Sequence, residues 1–171
     1  VITSIDSGTR CLVGGTLTQN ATLPASREWL IDEFIHVGNG TSSPVLTIEP
    51  GVHIRGGRPS ASTADYVYIS PGSSLTAIGT RTAPILFTSD DEDYNLSSSA
   101  NPAEWGGLII ADTVSSMFGV NKLEYVVVAE GGAEVTVNSK TYNSNIVLDG
   151  LHDDTYLLYV QSHDSAVDGI S

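Results

Sequence analysis

The run Asp90-Asp91-Glu92-Asp93, with Asn95 close by, is the densest concentration of chemistry-bearing side chains in the sequence. Ca²⁺ takes about six to eight oxygen ligands from carboxylates and carbonyls, so Asp90, Asp91 and Asp93 are candidate Ca²⁺ ligands. Their spacing fits neither the EF-hand loop nor the nonapeptide calcium repeat, and the plainer reading is a solvated acidic loop. A second group holds His152, Asp153, His163 and Asp164, flanked by Asp149, Asp154 and Asp168. If successive turns of chain stack, His152-Asp153 could lie beside His163-Asp164 and take Zn²⁺, or line a carbohydrate groove. The offset of 11 residues is short for a full coil, which favours exposed corners between strands.

Aromatic side chains offer another chemistry, stacking on sugar rings. Tyr66 and Tyr68 alternate with Val67 and Ile69, so the two tyrosines share one face of a strand and form a candidate ligand-binding patch. The alternative is packing against a neighbouring loop. Tyr94 and Trp105 are weaker candidates, and Trp105 before Gly106-Gly107 reads better as a cover over a bend. Paired carboxylates would suit glycoside hydrolysis. A lyase would also want Arg or Lys beside its acids, and nothing places Arg55, Arg58 or Arg81 there. Cys11 is the single cysteine, so no internal disulfide forms. It reads as a small buried residue, or as a partner for a disulfide to another chain or to a missing segment.

The elements that must position these residues are strands. The chain has 171 residues, 17 of them Gly and 7 Pro, and Val, Ile, Thr and Tyr outnumber good helix formers along most of it. That balance predicts one all-β domain rich in turns. Lys and Arg number 7 against 20 Asp and Glu, a net charge of −13, which opposes binding to nucleic acid or anionic lipid. No apolar run approaches the roughly 18 residues of a membrane-spanning helix, so an integral membrane protein is not expected.

From Val45 the chain repeats itself. Val45-Leu46-Thr47-Ile48-Glu49-Pro50-Gly51 is echoed 21 residues later by Tyr66-Val67-Tyr68-Ile69-Ser70-Pro71-Gly72. Further apolar segments follow at Leu75 to Ile78, Pro84 to Thr88, Gly107 to Ile110, Leu123 to Val128, Asn145 to Leu148 and Tyr156 to Val160. Short strands recurring at this pace cannot bury a core singly, and stacking them in parallel coils can. Pro-Gly suits the corners, because Pro fixes φ and Gly accepts positive φ. The expectation is a right-handed parallel β-helix over residues 45–171, preceded by a lead-in and cap over 1–44. Polar insertions at 58–64, 89–104, 112–121 and 129–144 should project from the coils.

Several segments resemble secreted bacterial β-helix proteins of the pectin-lyase-like kind. They are Thr22 to Ser26 before Trp29-Leu30-Ile31-Asp32, Val45 to Gly56, Ser74 to Thr80, Ala83 to Ser89 and Glu104 to Ile110. Leu123 to Val128 and Tyr159 to Ile170 are similar to later rungs of the same proteins. The resemblance implies an extracellular protein, or one on the outer surface of a Gram-negative bacterium. It implies a non-enzymatic structural, adhesive or assembly role. Calcium-dependent polysaccharide lysis or hydrolysis is the alternative, by analogy of fold. Glycan is an expected partner. Because relatives run on for many more coils, the last coil here is expected to continue, or to stack on a second chain.

Overall fold

A computed structural model of the chain describes residues 10–57, 63–90, 102–111 and 119–171, and the backbone of 2–5. Among these residues all regular structure is β-strand. None forms a helix long and apolar enough to cross a membrane.

The strands fall into three parallel ladders. The first face stacks β3 (Ala21–Leu23), β5 (Val45–Ile48), β8 (Ser74–Ile78), β11 (Lys122–Glu124) and β16 (Tyr156–Leu158). The second stacks the first half of β4 (Glu28–Val37), then β6 (His53–Gly56), β9 (Ile85–Ser89), β12 (Val126–Ala129) and β17 (Gln161–His163). The third stacks the second half of β4, then β7 (Tyr66–Ile69), β10 (Gly107–Ala111), β15 (Ser144–Asp149) and β18 (Asp168–Ile170). The chain visits the three faces in that order once per coil, as a parallel β-helix must. β4 turns the corner between the second and third faces unbroken, at Glu33, whose φ is 67°.

Inward side chains line up rung upon rung. Leu23, Ile48, Ala77, Leu123 and Leu157 form one column, and Ile35, Val67, Leu108, Ile146 and Ile170 another. Most of these are fully buried, and each buried Leu, Ile or Val contributes about 1.5–3 kcal/mol. The second face carries Cys11, Trp29, Ile54, Phe87 and Val128 in register. Cys11 is buried in the first rung, where Arg27 Nη1 reaches its sulfur at 3.6 Å. A disulfide to another chain would require that rung to open.

Three features depart from the sequence-based expectation. The parallel ladder begins before Val45, since β2 (Arg10–Leu17) lies parallel to β4 and β3 parallel to β5. The segment read as lead-in and cap therefore contributes rungs, with β1 (Ile2–Ile5) antiparallel on the edge of β2. The 21-residue echo does not mark one coil either. Val45 pairs with Ser74, whereas Tyr66 pairs with Phe34 and Gly107, so the two similar strands occupy different faces. Finally, Leu123 to Val128 and Tyr156 to Val160 are each broken by a corner, at Tyr125 (φ 48°) and Tyr159 (φ 54°). These tyrosines occupy equivalent corners, and their rings stack with centroids 4.6 Å apart.

The insertion between β10 and β11 leaves the corner between the third face and the first, and the other three large insertions leave the corner between the second and third faces. These three link β6 to β7, β9 to β10 and β12 to β15. Trp105 closes this corner from inside. It is fully buried, stacks on Phe87 with the ring planes 7° from parallel, and donates from Nε1 to the Ala129 carbonyl at 2.8 Å. This is the covering role expected of it. Asn145, also fully buried, accepts from Gly131 N–H at 2.7 Å and donates to the carbonyls of Val128 and His163.

Candidate functional site

The third insertion contains an antiparallel hairpin, β13 (Val135–Val137) and β14 (Lys140–Tyr142), joined by Asn138-Ser139 with both φ positive. That backbone is the two-residue turn favoured by tight hairpins. The hairpin lies on the outer surface of the third face. There Val135, Val137 and Tyr142 pack with Tyr68, Ile109 and Val147 in a second apolar cluster. Tyr142 Oη donates to Asp149 at 3.1 Å and Lys140 pairs with the same carboxylate at 2.5 Å, pinning β14 to the end of β15.

Tyr66 and Tyr68 do share the outer face, but their surroundings differ. Tyr68 is buried beneath the hairpin, and Asn138 donates to its hydroxyl at 3.4 Å. Tyr66 is half-buried beside Phe34 on the adjacent rung, with ring centroids 5.9 Å apart and planes 25° from parallel. His36 Nε2 sits 2.9 Å from the Tyr66 hydroxyl. Burial lowers the His36 pKa and raises those of both phenols, so all three groups stay uncharged at neutral pH.

Between the β4 corner, the end of the first insertion and the hairpin edge lies an open groove of about 500 Å³. Phe34, Tyr66 and Val135 form its apolar walls, Thr63 and Thr136 supply hydroxyls, and Glu33, Asp65 and Glu134 supply carboxylates. Its volume is in the range of small-ligand sites. None of its described lining residues is cationic.

Asp65 is the buried carboxylate of the three. Its Oδ2 accepts from Gly57 N–H at 2.7 Å, and its own N–H donates to the Gly57 carbonyl at 2.8 Å, which ties together the two ends of the first insertion. Desolvation raises its pKa to about 6. The charges of Asp32 and Asp90 push the same way, and the backbone donors Gly57 and Glu33 oppose.

The acidic run is only partly described. Asp90 lies near Asp65, its N–H bonded to the Gly56 carbonyl at 2.7 Å, while Asp91 and Asp93, like Tyr94, lie outside the described residues. Among the described residues no three carboxylate, imidazole or thiol groups are grouped to hold a metal ion. The histidines near the end of the chain pair with their own neighbours. His152 Nδ1 lies 3.6 Å from Asp154, and His163 Nδ1 lies 2.7 Å from Asp164. Sequence reading singled out Tyr66 but passed over Glu33, Phe34, Asp65 and Glu134. They are separated along the chain and meet only because β4, the first insertion and the hairpin converge.

Parallel coils on three faces, with loops massed at one corner over an outward groove, define a pectin-lyase-like solenoid. Residues 15–142 match the family model of the pectate-lyase-like β-helix domain, and the chain belongs to that family. Neither the curated proteins nor the solved structures gave a match.

Proposed function

We propose that this chain is a non-catalytic β-helix module, secreted or displayed on a cell surface, that holds a glycan in the groove beside the hairpin. The observation that carries the reading is the Phe34–Tyr66 pair, two neighbouring rings on the groove wall with carboxylates and hydroxyls around them. Aromatic faces pack the apolar faces of sugar rings, and polar groups at the rim orient the hydroxyls. The test is a glycan-binding screen run alongside an assay for released reducing ends and unsaturated products. Binding without products is expected. Bond cleavage would overturn the non-catalytic reading.

A hydrolytic reading has one observation in its favour. Asp65 holds its proton up to about pH 6 beside Glu33 and Glu134, a pairing that suits an acid with a base. Against it, both Asp65 bonds to Gly57 serve the backbone. Calcium at Asp90, Asp91 and Asp93 belongs to the lyase form of this alternative, and activity lost on chelation would support it. Association through the last coil is a further part of the proposal. Leu158, Tyr159, Val167 and Ile170 are exposed there, and β16, β17 and β18 stand at the ends of their ladders. Mass measured by light scattering over a concentration series tests it.

A further inference from the structure

We infer that the groove selects a cationic glycan, one built of amino sugars with free ammonium groups, over neutral or uronate chains. This rests on the glycan reading above and adds the charge of the ligand.

The groove is a cavity with an aromatic wall, and the charged groups among its described lining residues have one sign. Glu33 and Glu134 are exposed carboxylates of the groove lining, one on the β4 corner and one at the foot of the hairpin. Asp65 also lines the groove, and Asp32 and Asp90 are close enough to act on it electrostatically. A uronate entering here would meet the like charges of Glu33 and Glu134. Repulsion of this kind rejects a ligand even where shape allows it. An ammonium group meets the reverse, opposite charge from both carboxylates and the electron-rich faces of Phe34 and Tyr66, which attract cations. The whole chain carries −13, so long-range steering acts in the same direction.

A basic peptide has the same charge and is the main competitor. The wall favours sugars, because Phe34 and Tyr66 present two nearly parallel rings on neighbouring rungs rather than a strand edge or a deep slot for a side chain. Successive rungs are spaced about 4.8 Å apart, close to the length of one pyranose ring along a chain.

The experiment is calorimetric titration of the full chain at pH 6 with four probes of matched length. These are fully deacetylated glucosamine oligomers, their N-acetylated forms, galacturonate oligomers and oligolysine. Glucosamine oligomers should bind at least tenfold tighter than either other sugar, and their affinity should fall as salt is raised. E33Q and E134Q should each weaken glucosamine binding about threefold to tenfold and leave any binding of the acetylated form unchanged. Y66A should weaken every sugar. D153N, which removes the same charge from a distant turn, should change nothing. Equal binding of acetylated oligomers, or preference for galacturonate, would overturn the charge selection and leave the glycan groove standing. Tighter binding of oligolysine than of glucosamine would overturn the sugar assignment. Binding by none of the probes would overturn the groove reading itself. Circular dichroism of each variant separates loss of binding from loss of fold.

Discussion

Replacing Asp65 with Asn removes a buried charge while keeping a carbonyl oxygen to accept the Gly57 N–H. In the folded chain Asp65 has a pKa of about 6, against 3.8 for the unperturbed side chain. A raised carboxyl pKa means the folded state binds the proton more tightly than the unfolded state. Its contribution is therefore most favourable below pH 3.8 and is lost as pH rises through 6. A shift of about two units corresponds to about 3 kcal/mol if the full effect is realised. The site opens to the groove, so screening reduces this to about 1–2 kcal/mol. D65N should accordingly be more stable than the parent at pH 7.5, and its advantage should shrink by roughly 1 kcal/mol at pH 4.5. Urea melts of both proteins at the two pH values measure this, and taking the difference cancels the titration of carboxylates that do not interact with Asp65. An advantage that is the same at both pH values, or larger in acid, would refute the reasoning. D65A, which loses the Gly57 clamp as well, separates the hydrogen bond from the charge.

Three further outcomes follow from the same structure. N145L leaves Gly131 N–H and the carbonyls of Val128 and His163 without their buried partner, and should cost about 2–4 kcal/mol in a denaturant melt. V137D puts a charge into the cluster beneath the hairpin and should cost about 2 kcal/mol. It should speed amide exchange in β13 and β14 while leaving the ladders protected. His53, half-buried and bonded to Thr88 Oγ1 at 2.7 Å, has its pKa lowered to about 4 by burial and by Arg55, with Glu28 opposing. Stability from the neutral imidazole is present above pH 6.5 and lost as pH falls through 4. H53Q should flatten stability over that interval by on the order of 2 kcal/mol in acid melts.

Much of the architecture could be read directly, because stacking needs short apolar strands and leaves them visible as a repeat. Val45 to Ile48, Leu75 to Ile78 and Gly107 to Ile110 are strands where expected. Which strands stack was harder to see. Similar strands on different faces look alike in one dimension, so the echo between Val45 and Tyr66 marked the first and third faces of one coil rather than stacked neighbours on one face. The corners at Tyr125 and Tyr159 carried no Gly or Pro signal, since stacking of the two rings compensates for a backbone that tyrosine rarely adopts. The hairpin did carry a signal. Val135-Thr136-Val137 and Lys140-Thr141-Tyr142 alternate about a two-residue Asn-Ser turn, and the surrounding polar loop obscured them. The groove had no such local mark. Glu33, Asp65 and Glu134 lie on three different coils of the chain and meet only where β4, the first insertion and the hairpin converge.

The massing of insertions at one corner has a consequence for how this surface can change. The interior columns are set by the rungs, and the ends of the first insertion are tied by Asp65 and Gly57 before the loop departs. Closing a longer loop across ends already held together adds little entropy cost. The corner can therefore be redecorated, lengthened or grafted coil by coil while the stack beneath stays as it is. The end of the first insertion and the hairpin of the third wall one groove between them, so recognition at this edge is a property of the set rather than of any single loop.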